Sequence, residues 1–324
     1  MDHSDVVDAL GIWTPDTTKD RDPTWRDALA GWVGPSLDLV GDAAWGAMVR
    51  DAVGLPVEDP LAWANRWIEL PGGGWAVTGI RFRGRDVEKP FVDVIATTAT
   101  PDAAGIDDLA VLLDHYALFA PRCLRVHLPG DVSAHGASAV TPRGAALRPD
   151  LLVVAGGVHE VTAQPPTRRY EDVTLVSTSA EDAAGVVASI YRERIADQPR
   201  SADWATPSDA ESLTEADEQG LLFEVVVAGT VAGVVAAERD DAYGLAGFSV
   251  QEIVLDAGHR GQGLGTATGQ HLARALPAGP TDVLWGHIHP GNRASLANAR
   301  SLGRRVVSSL VWVTPPGASG MPER

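Results

Sequence analysis

Apolar and polar positions along this chain follow two periods, and the places where the period changes mark its elements. In the second half, "DVTLVS" alternates as a strand does, and "SAEDAAGVVASIYRERIAD" then takes up helical spacing, with Val186, Val187, Ile190 and Ile195 on the face expected to turn inward. Ser179 stands where a helix N-cap belongs, and Glu181 and Asp182 suit the first turn. "PSDAESLTEADEQ" predicts a second, more polar helix. "LLFEVVVAGTVAGVVAAERD" is two β-rich runs meeting at Ala228-Gly229-Thr230, the pattern of a hairpin. "FSVQEIVLD" predicts a strand, "TATGQHLARAL" a helix, "TDVLWGHIH" a strand, "RASLANARSL" a helix stopped by Gly303, and "RRVVSSLVWVT" a last strand. The predicted order is β-α-α-β-β-β-α-β-α-β, and the fold class is α/β, of the α+β kind with a mixed sheet.

The first half repeats part of this pattern. "KPFVDVIATT", "DDLAVLLDHYALFA" and "RCLRVHLPG" follow one another as strand, helix-like segment and strand ending in Pro-Gly, as "GFSVQEIVLD", "TATGQHLARAL" and "DVLWGHIHPG" do later. The two copies lie about half the chain apart, which suggests an old internal duplication. Between them "VTAQPPTRRY" carries two consecutive prolines, which cannot donate to a sheet, so the domain boundary is expected there: residues 1–165 and 166–324. Trp13, Trp25, Trp32, Trp45, Trp63, Trp67 and Trp75, seven of the ten tryptophans, precede residue 76 and are expected to anchor a core or an interface.

A chain of 324 residues with 45% hydrophobic content is long enough for two cores. The formal net charge of −17 excludes a nucleic-acid partner, which requires a concentrated basic surface, and makes cationic small molecules better company. No apolar run is long enough to span a membrane and "MDHSDVVDAL" lacks the blocks of a signal peptide, so a soluble, cytoplasmic protein is expected, with no membrane partner. Cys123 is the single cysteine, so neither an intrachain disulfide nor a thiolate metal cage is available.

"IVLDAGHRGQGLGTATGQHLARAL", residues 253–276, is the stretch that carries chemistry. A strand feeding a glycine-punctuated turn that opens a helix presents successive N–H groups to an anion. Gly261, Gly263 and Gly265 remove side chains where a pyrophosphate would approach, and Arg260 supplies a charged partner. A P-loop requires Gly-Lys-Ser/Thr, and no lysine occurs here. A dinucleotide fingerprint requires a later third glycine and an acidic residue about 20 positions on, where His287 and His289 stand instead.

"HRGQGLG" resembles the Arg/Gln-x-x-Gly-x-Gly/Ala acyl-CoA loop of the GNAT superfamily of N-acetyltransferases, with Arg260, Gly263 and Gly265 in the defining places. "NRASLANARSLG" is similar to that superfamily's second motif, through Asn292, Ser295, Leu302 and Gly303. The resemblance covers about residues 171–316 and implies an acyl-CoA N-acyltransferase fold, twice in tandem, with acetyl-CoA as co-substrate and no metal. It implies that the pantetheine arm lies along Ile253, Val254, Leu255 and Asp256, in a gap where two strands splay apart. The pyrophosphate is expected on the backbone of Gly261, Gln262, Gly263, Leu264, Gly265 and Thr266 beside Arg260, with Asn292 near the arm.

Glu252 stands where several members of the superfamily carry a general base, and strand alternation puts it on one face with Val254. The N–H of Leu255 is the expected oxyanion donor. The chain departs from the family at Ala299, where many members have an acidic tyrosine, so water or His289 is left as proton source. His287 and His289 share a strand face, but no third metal ligand is near them in sequence, and a structural or pocket role suits them better. The first half has no acyl-CoA loop: "ATPDAAGIDDLA" carries a single glycine and no basic residue. It is expected to be a degenerate or accessory domain that shapes the acceptor pocket. The expected function is transfer of an acetyl group to a primary amine of a small molecule or peptide. The competing readings are a non-catalytic acyl-CoA-binding protein and a nucleotide-binding enzyme of another fold.

Overall fold

The computed structural model describes residues 3–132, 139–199, 201 and 206–322. Helices α1 (His3–Gly11), α2 (Asp16–Arg21), α3 (Trp25–Asp38), α4 (Ala43–Val53) and α5 (Pro60–Trp63) precede strands β1 (Arg66–Glu69), β2 (Trp75–Phe82) and β3 (Pro90–Thr97). Helix α6 (Ala103–Asp108), β4 (Leu124–Pro129), β5 (Ala139–Val140), β6 (Ala146–Gly157) and α7 (Val158–Ala163) follow. The second half runs β7 (Val173–Ser177), α8 (Ala180–Asp197), α9 (Ala210–Glu218), β8 (Leu222–Val227), β9 (Thr230–Arg239), β10 (Gly247–Leu255), α10 (Leu264–Ala275), β11 (Val283–Ile288), α11 (Arg293–Ser301) and β12 (Arg305–Thr314). From β7 onward this is the order read from the sequence, and the class is mixed α/β.

Local chemistry accounts for the second-half elements. Ser179 caps α8 by accepting from the Asp182 amide at 3.2 Å. The β8–β9 hairpin turns on Ala228 (φ 50°) and Gly229 (φ 80°), both in the left-handed region that a two-residue turn of this hand requires. In the first half, the segment read as one helix is α6 followed by a 3₁₀ stretch, Leu109–Phe119, kinked at Tyr116 (φ −117°). Its buried Leu109, Leu112, Tyr116 and Phe119 recur at intervals of three and four, which a tighter helix also places on one side.

Two compact units result. Among the described residues, the first draws on those within 3–152, 242–244 and 307–322, and the second on those within 153–241 and 245–306. The division falls within β6 and not at the 165/166 boundary expected from the prolines. Those prolines are instead held in the second unit by buried Gln270 of α10, which donates to the Pro165 carbonyl and accepts from the Thr167 amide, both at 3.0 Å.

Strand order in the first unit is β1-β2-β3-β4-β12-β6, with β5 on β6; in the second it is β6-β11-β10-β9-β8-β7. Each unit has an apolar core on either face of its sheet. In the first, Trp13, Trp63, Leu112 and Val311 lie in one and Trp25, Leu29 and Val77 in the other. Trp13, Trp25 and Trp63 thus anchor cores as expected, while Trp67 and Trp75 stack with ring centroids 4.2 Å apart. In the second unit, α10 covers one face through Leu264, Ala267 and Leu272, and α8 and α9 cover the other through Val187, Ile190 and Leu213.

Candidate functional site

The site begins with an irregularity in β10. This strand pairs with β9 antiparallel, but the register shifts between Val250 and Glu252, a bulge that leaves Gln251 without a β9 partner. On its other side β10 runs parallel to β11 for three registers, Gly247 with Val283, Phe248 with Leu284 and Ser249 with Trp285, and the pairing then stops. Residues 250–255 therefore have an open edge. The Asp256 amide donates to Ala232 of β9 at 2.9 Å, so by strand alternation the amides of Ile253 and Leu255 face that open edge. Gly233 of β9 allows the close approach behind it: a Cβ there would lie 2.0 Å from the Val254 carbonyl oxygen.

Glu252 follows the bulge on the face covered by α8 and α9. It is 6% exposed. Its Oε1 accepts from the Tyr191 hydroxyl of α8 at 3.3 Å and from the Ile253 amide at 3.0 Å, and its Oε2 accepts from the Ser208 hydroxyl at 3.2 Å. Burial pushes its carboxyl above the ordinary 4.5, against the pull of these donors. Burial, and then the neighbouring Glu252 charge, raise the Tyr191 phenol in turn. Arg194 of α8 and Arg260 lie close enough to add their charges to the same cluster.

At the end of β10, Asp256 accepts from the His259 amide at 3.1 Å and meets its ring nitrogen at 2.8 Å, closing one tight turn. Arg260 folds back so that its Nε donates to the Leu255 carbonyl at 2.8 Å, while its Nη2 is buried with no hydrogen-bond partner among the described residues. Gly261 (φ 72°) and Gly263 (φ 81°) take left-handed conformations, and Gly263 caps α10 without a side chain. Among the described residues, none of the amides of residues 261–266 is bonded to a protein acceptor. Six N–H groups beside the unpartnered Nη2 of Arg260 form an anion cradle. The Thr266 hydroxyl is engaged elsewhere, donating to Asn298 of α11 at 3.0 Å.

Asn292 caps α11, its Oδ1 accepting from the Ser295 amide at 3.2 Å. Buried Ala299 brings no hydroxyl to the site. His289 accepts from the Gly291 amide at 3.1 Å, and the His287 ring meets Trp285 edge-on. Among the described residues no group of three or more His, Cys, Asp or Glu is placed to hold a metal ion, and no helix is long and apolar enough to cross a membrane. Tyr191, Ser208 and Arg194 are the site residues that the sequence reading missed. Tyr191 directly follows Ile190, a core position of α8, and this is the signal that could have found it.

The first unit repeats the geometry without the cradle. There β2 and β3 pair antiparallel across a register shift, and β3 and β4 run parallel for three registers, Val92 with Leu124 to Val94 with Val126. Where the second unit has an open glycine turn, Asp102 caps α6, accepting from the Ala104 and Gly105 amides at 3.0 and 2.9 Å. A carboxylate of the chain itself occupies these donors.

No family model matches this sequence. No curated protein matches it either. Similar solved structures include a GCN5-related N-acetyltransferase from Sphaerobacter thermophilus (14% identity, 86% of this chain and 93% of that one, TM-score 0.47) and a GNAT-family acetyltransferase from Colwellia psychrerythraea (11%, 84% and 96%, 0.46). A tandem GNAT protein from the clavulanic acid biosynthesis pathway is also similar (14%, 76% and 81%, TM-score 0.44). Likenesses this distant carry no argument about the site. Splay, glycine turn and element order are nonetheless the features that the sequence resemblance to the GNAT superfamily implies.

Proposed function

We propose that the second unit is an acyl-CoA-dependent N-acyltransferase that passes an acyl group, acetyl in the simplest case, directly to a primary amine. The observation that carries this reading is the continuity of one strand. β10 presents a buried carboxylate at residue 252, an open-edge amide at 255, and, one tight turn beyond its last residue, an anion cradle.

The residues fit a coenzyme A thioester. The amides of residues 261–266 and Arg260 Nη2 would hold the pyrophosphate, and the backbone of Ile253, Val254, Leu255 and Asp256 would hold the pantetheine arm. An alkylammonium loses its proton only near pH 10, so the attacking amine needs a base. Glu252, raised above 4.5, takes that proton more readily than an ordinary glutamate. The Leu255 N–H stabilises the oxyanion as the amine adds to the thioester carbon. Tyr191 is a poor acid toward the departing thiolate because its own proton is held more tightly than a free phenol's. A thiolate needs little such help, its pKa being about 8 to 9.

The acceptor class is a cationic amine. A net charge of −17 supports it. A second reading, a non-catalytic acyl-CoA-binding protein, is favoured by one observation: both oxygens of Glu252 are already engaged by protein donors.

Calorimetric titration of acetyl-CoA into the full chain tests the donor. One site per chain, weakened by Arg260→Ala and by Gly263→Val, is expected; no binding to the parent refutes both readings. A screen of amines for thiol release, with Glu252→Gln as control, then separates enzyme from binder.

A further inference from the structure

A buried charge that the mechanism above does not use lies at the closed end of the splay. Arg304 follows α11 and is 5% exposed. Its Nη2 donates to the Val154 carbonyl of β6 at 3.3 Å, and its Nε is buried with no partner among the described residues. Burial alone brings the guanidinium down to about 10, with no carboxylate acting on it. An ionised group removed from water without a counter-charge is costly, and folded proteins rarely keep one without a use.

Its position identifies the use. Gly286 comes one residue after Trp285, the last position of β11 paired to β10. A Cβ at Gly286 would lie 3.2 Å from Arg304 Nη2 and 3.4 Å from the Val250 carbonyl oxygen, so the glycine lets the guanidinium reach the fork where the strands part. The face is also defined. Leu284 belongs to the core beneath α10 and Val250 packs on it, and Gly286 shares the face of Leu284 by alternation. Glu252 lies on the opposite face, bonded to Tyr191 of α8. A group that meets Arg304 therefore arrives from the side of the phosphate cradle, with the donor, and not from the side of the base.

Building on the acyl-CoA reading, we propose that Arg304 is a subsite for a carboxylate at the far end of the acyl chain, so that the preferred donor is a coenzyme A monothioester of a short dicarboxylic acid. Such a carboxylate supplies the missing counter-ion and accepts from the unsatisfied N–H groups. Acetyl-CoA binds through its pyrophosphate and pantetheine but leaves the guanidinium unpaired.

The test is calorimetric binding of succinyl-CoA, butyryl-CoA and acetyl-CoA to the full chain and to Arg304→Met. Succinyl and butyryl groups have the same number of carbons and differ in the end group. Succinyl-CoA is expected to bind the parent at least tenfold more tightly than butyryl-CoA, about 1.4 kcal/mol, and the preference is expected to vanish in Arg304→Met. The parent comparison stands alone if the variant does not fold. Equal binding of the two esters by the parent, or a preference that survives in a folded Arg304→Met, overturns the subsite while leaving the donor site intact. Failure of all three esters to bind overturns the acyl-CoA reading, and the subsite with it.

Discussion

Replacing Glu252 by glutamine tests the site in two independent ways. The first is stability against pH. The folded carboxyl is raised above 4.5, so below pH 4.5 both folded and unfolded chains are protonated and the contribution of this group is fully present. As pH rises from there toward the folded value, the unfolded chain ionises while the folded one keeps its proton. Stability then falls by about 1.4 kcal/mol per pH unit, until the folded group ionises too and the loss becomes constant. Glutamine has no such dependence. Its amide also turns an NH₂ toward one of the donors now facing Glu252, an offset of about 1 to 3 kcal/mol that does not vary with pH. The slope is therefore the quantity to read. Denaturant titrations of parent and Glu252→Gln from pH 4 to 8 should show the variant gaining on the parent as pH rises. The second readout is turnover: a lost general base lowers kcat by about 10²- to 10⁴-fold. It should also remove the acid limb of the parent's rate profile, which lies above the ordinary glutamate range. A stability difference that is flat with pH would show that burial does not perturb Glu252. Unchanged turnover would leave the residue a structural one.

Three further outcomes follow from the geometry. Gly233→Ala puts a methyl group 2.0 Å from the Val254 carbonyl oxygen, and neither strand can yield cheaply, so a loss of about 1 to 3 kcal/mol in chemical denaturation is expected, with weaker acyl-CoA binding. Asp102→Ala frees the α6 amides without supplying a glycine turn or an arginine; melting temperature should fall while calorimetric stoichiometry stays at one acyl-CoA per chain. Cys123 is fully buried with its thiol pushed up to about 12, so a water-soluble disulfide reagent should leave it unlabelled until the chain unfolds in denaturant.

The parts legible in the sequence are those whose determinants are local. Gly261, Gly263 and Arg260 lie within four residues, so their turn could be read directly, as could the Ser179 cap and the Ala228-Gly229 hairpin. The partners of Glu252 were hidden because Tyr191 and Ser208 come from 61 and 44 residues away and meet it only when α8 and α9 close over β10. Arg304, beside a glycine and another arginine, reads as surface, and its burial is decided by Gly156 and Gly286 on two strands that no local pattern joins to it. Asn292, expected near the pantetheine arm, also caps a helix through its carbonyl oxygen, and an asparagine before a helix suits either task. The division within β6 is not legible in the sequence because β6 and β12 each read as ordinary strands, and nothing local states which unit a strand joins.

That membership has a consequence for how the chain is made. The first unit is completed by residues 307–322, which follow the second unit in the chain, and the second unit uses residues from Val153 onward. The amino-terminal half therefore cannot reach its final fold until the second unit has been synthesised, and until then the place beside β4 is unfilled. Strand pairs so distant in sequence close slowly. An unpaired strand edge held open for that interval is the usual starting point for misassembly, so recovery of native protein should depend steeply on chain concentration and temperature during refolding.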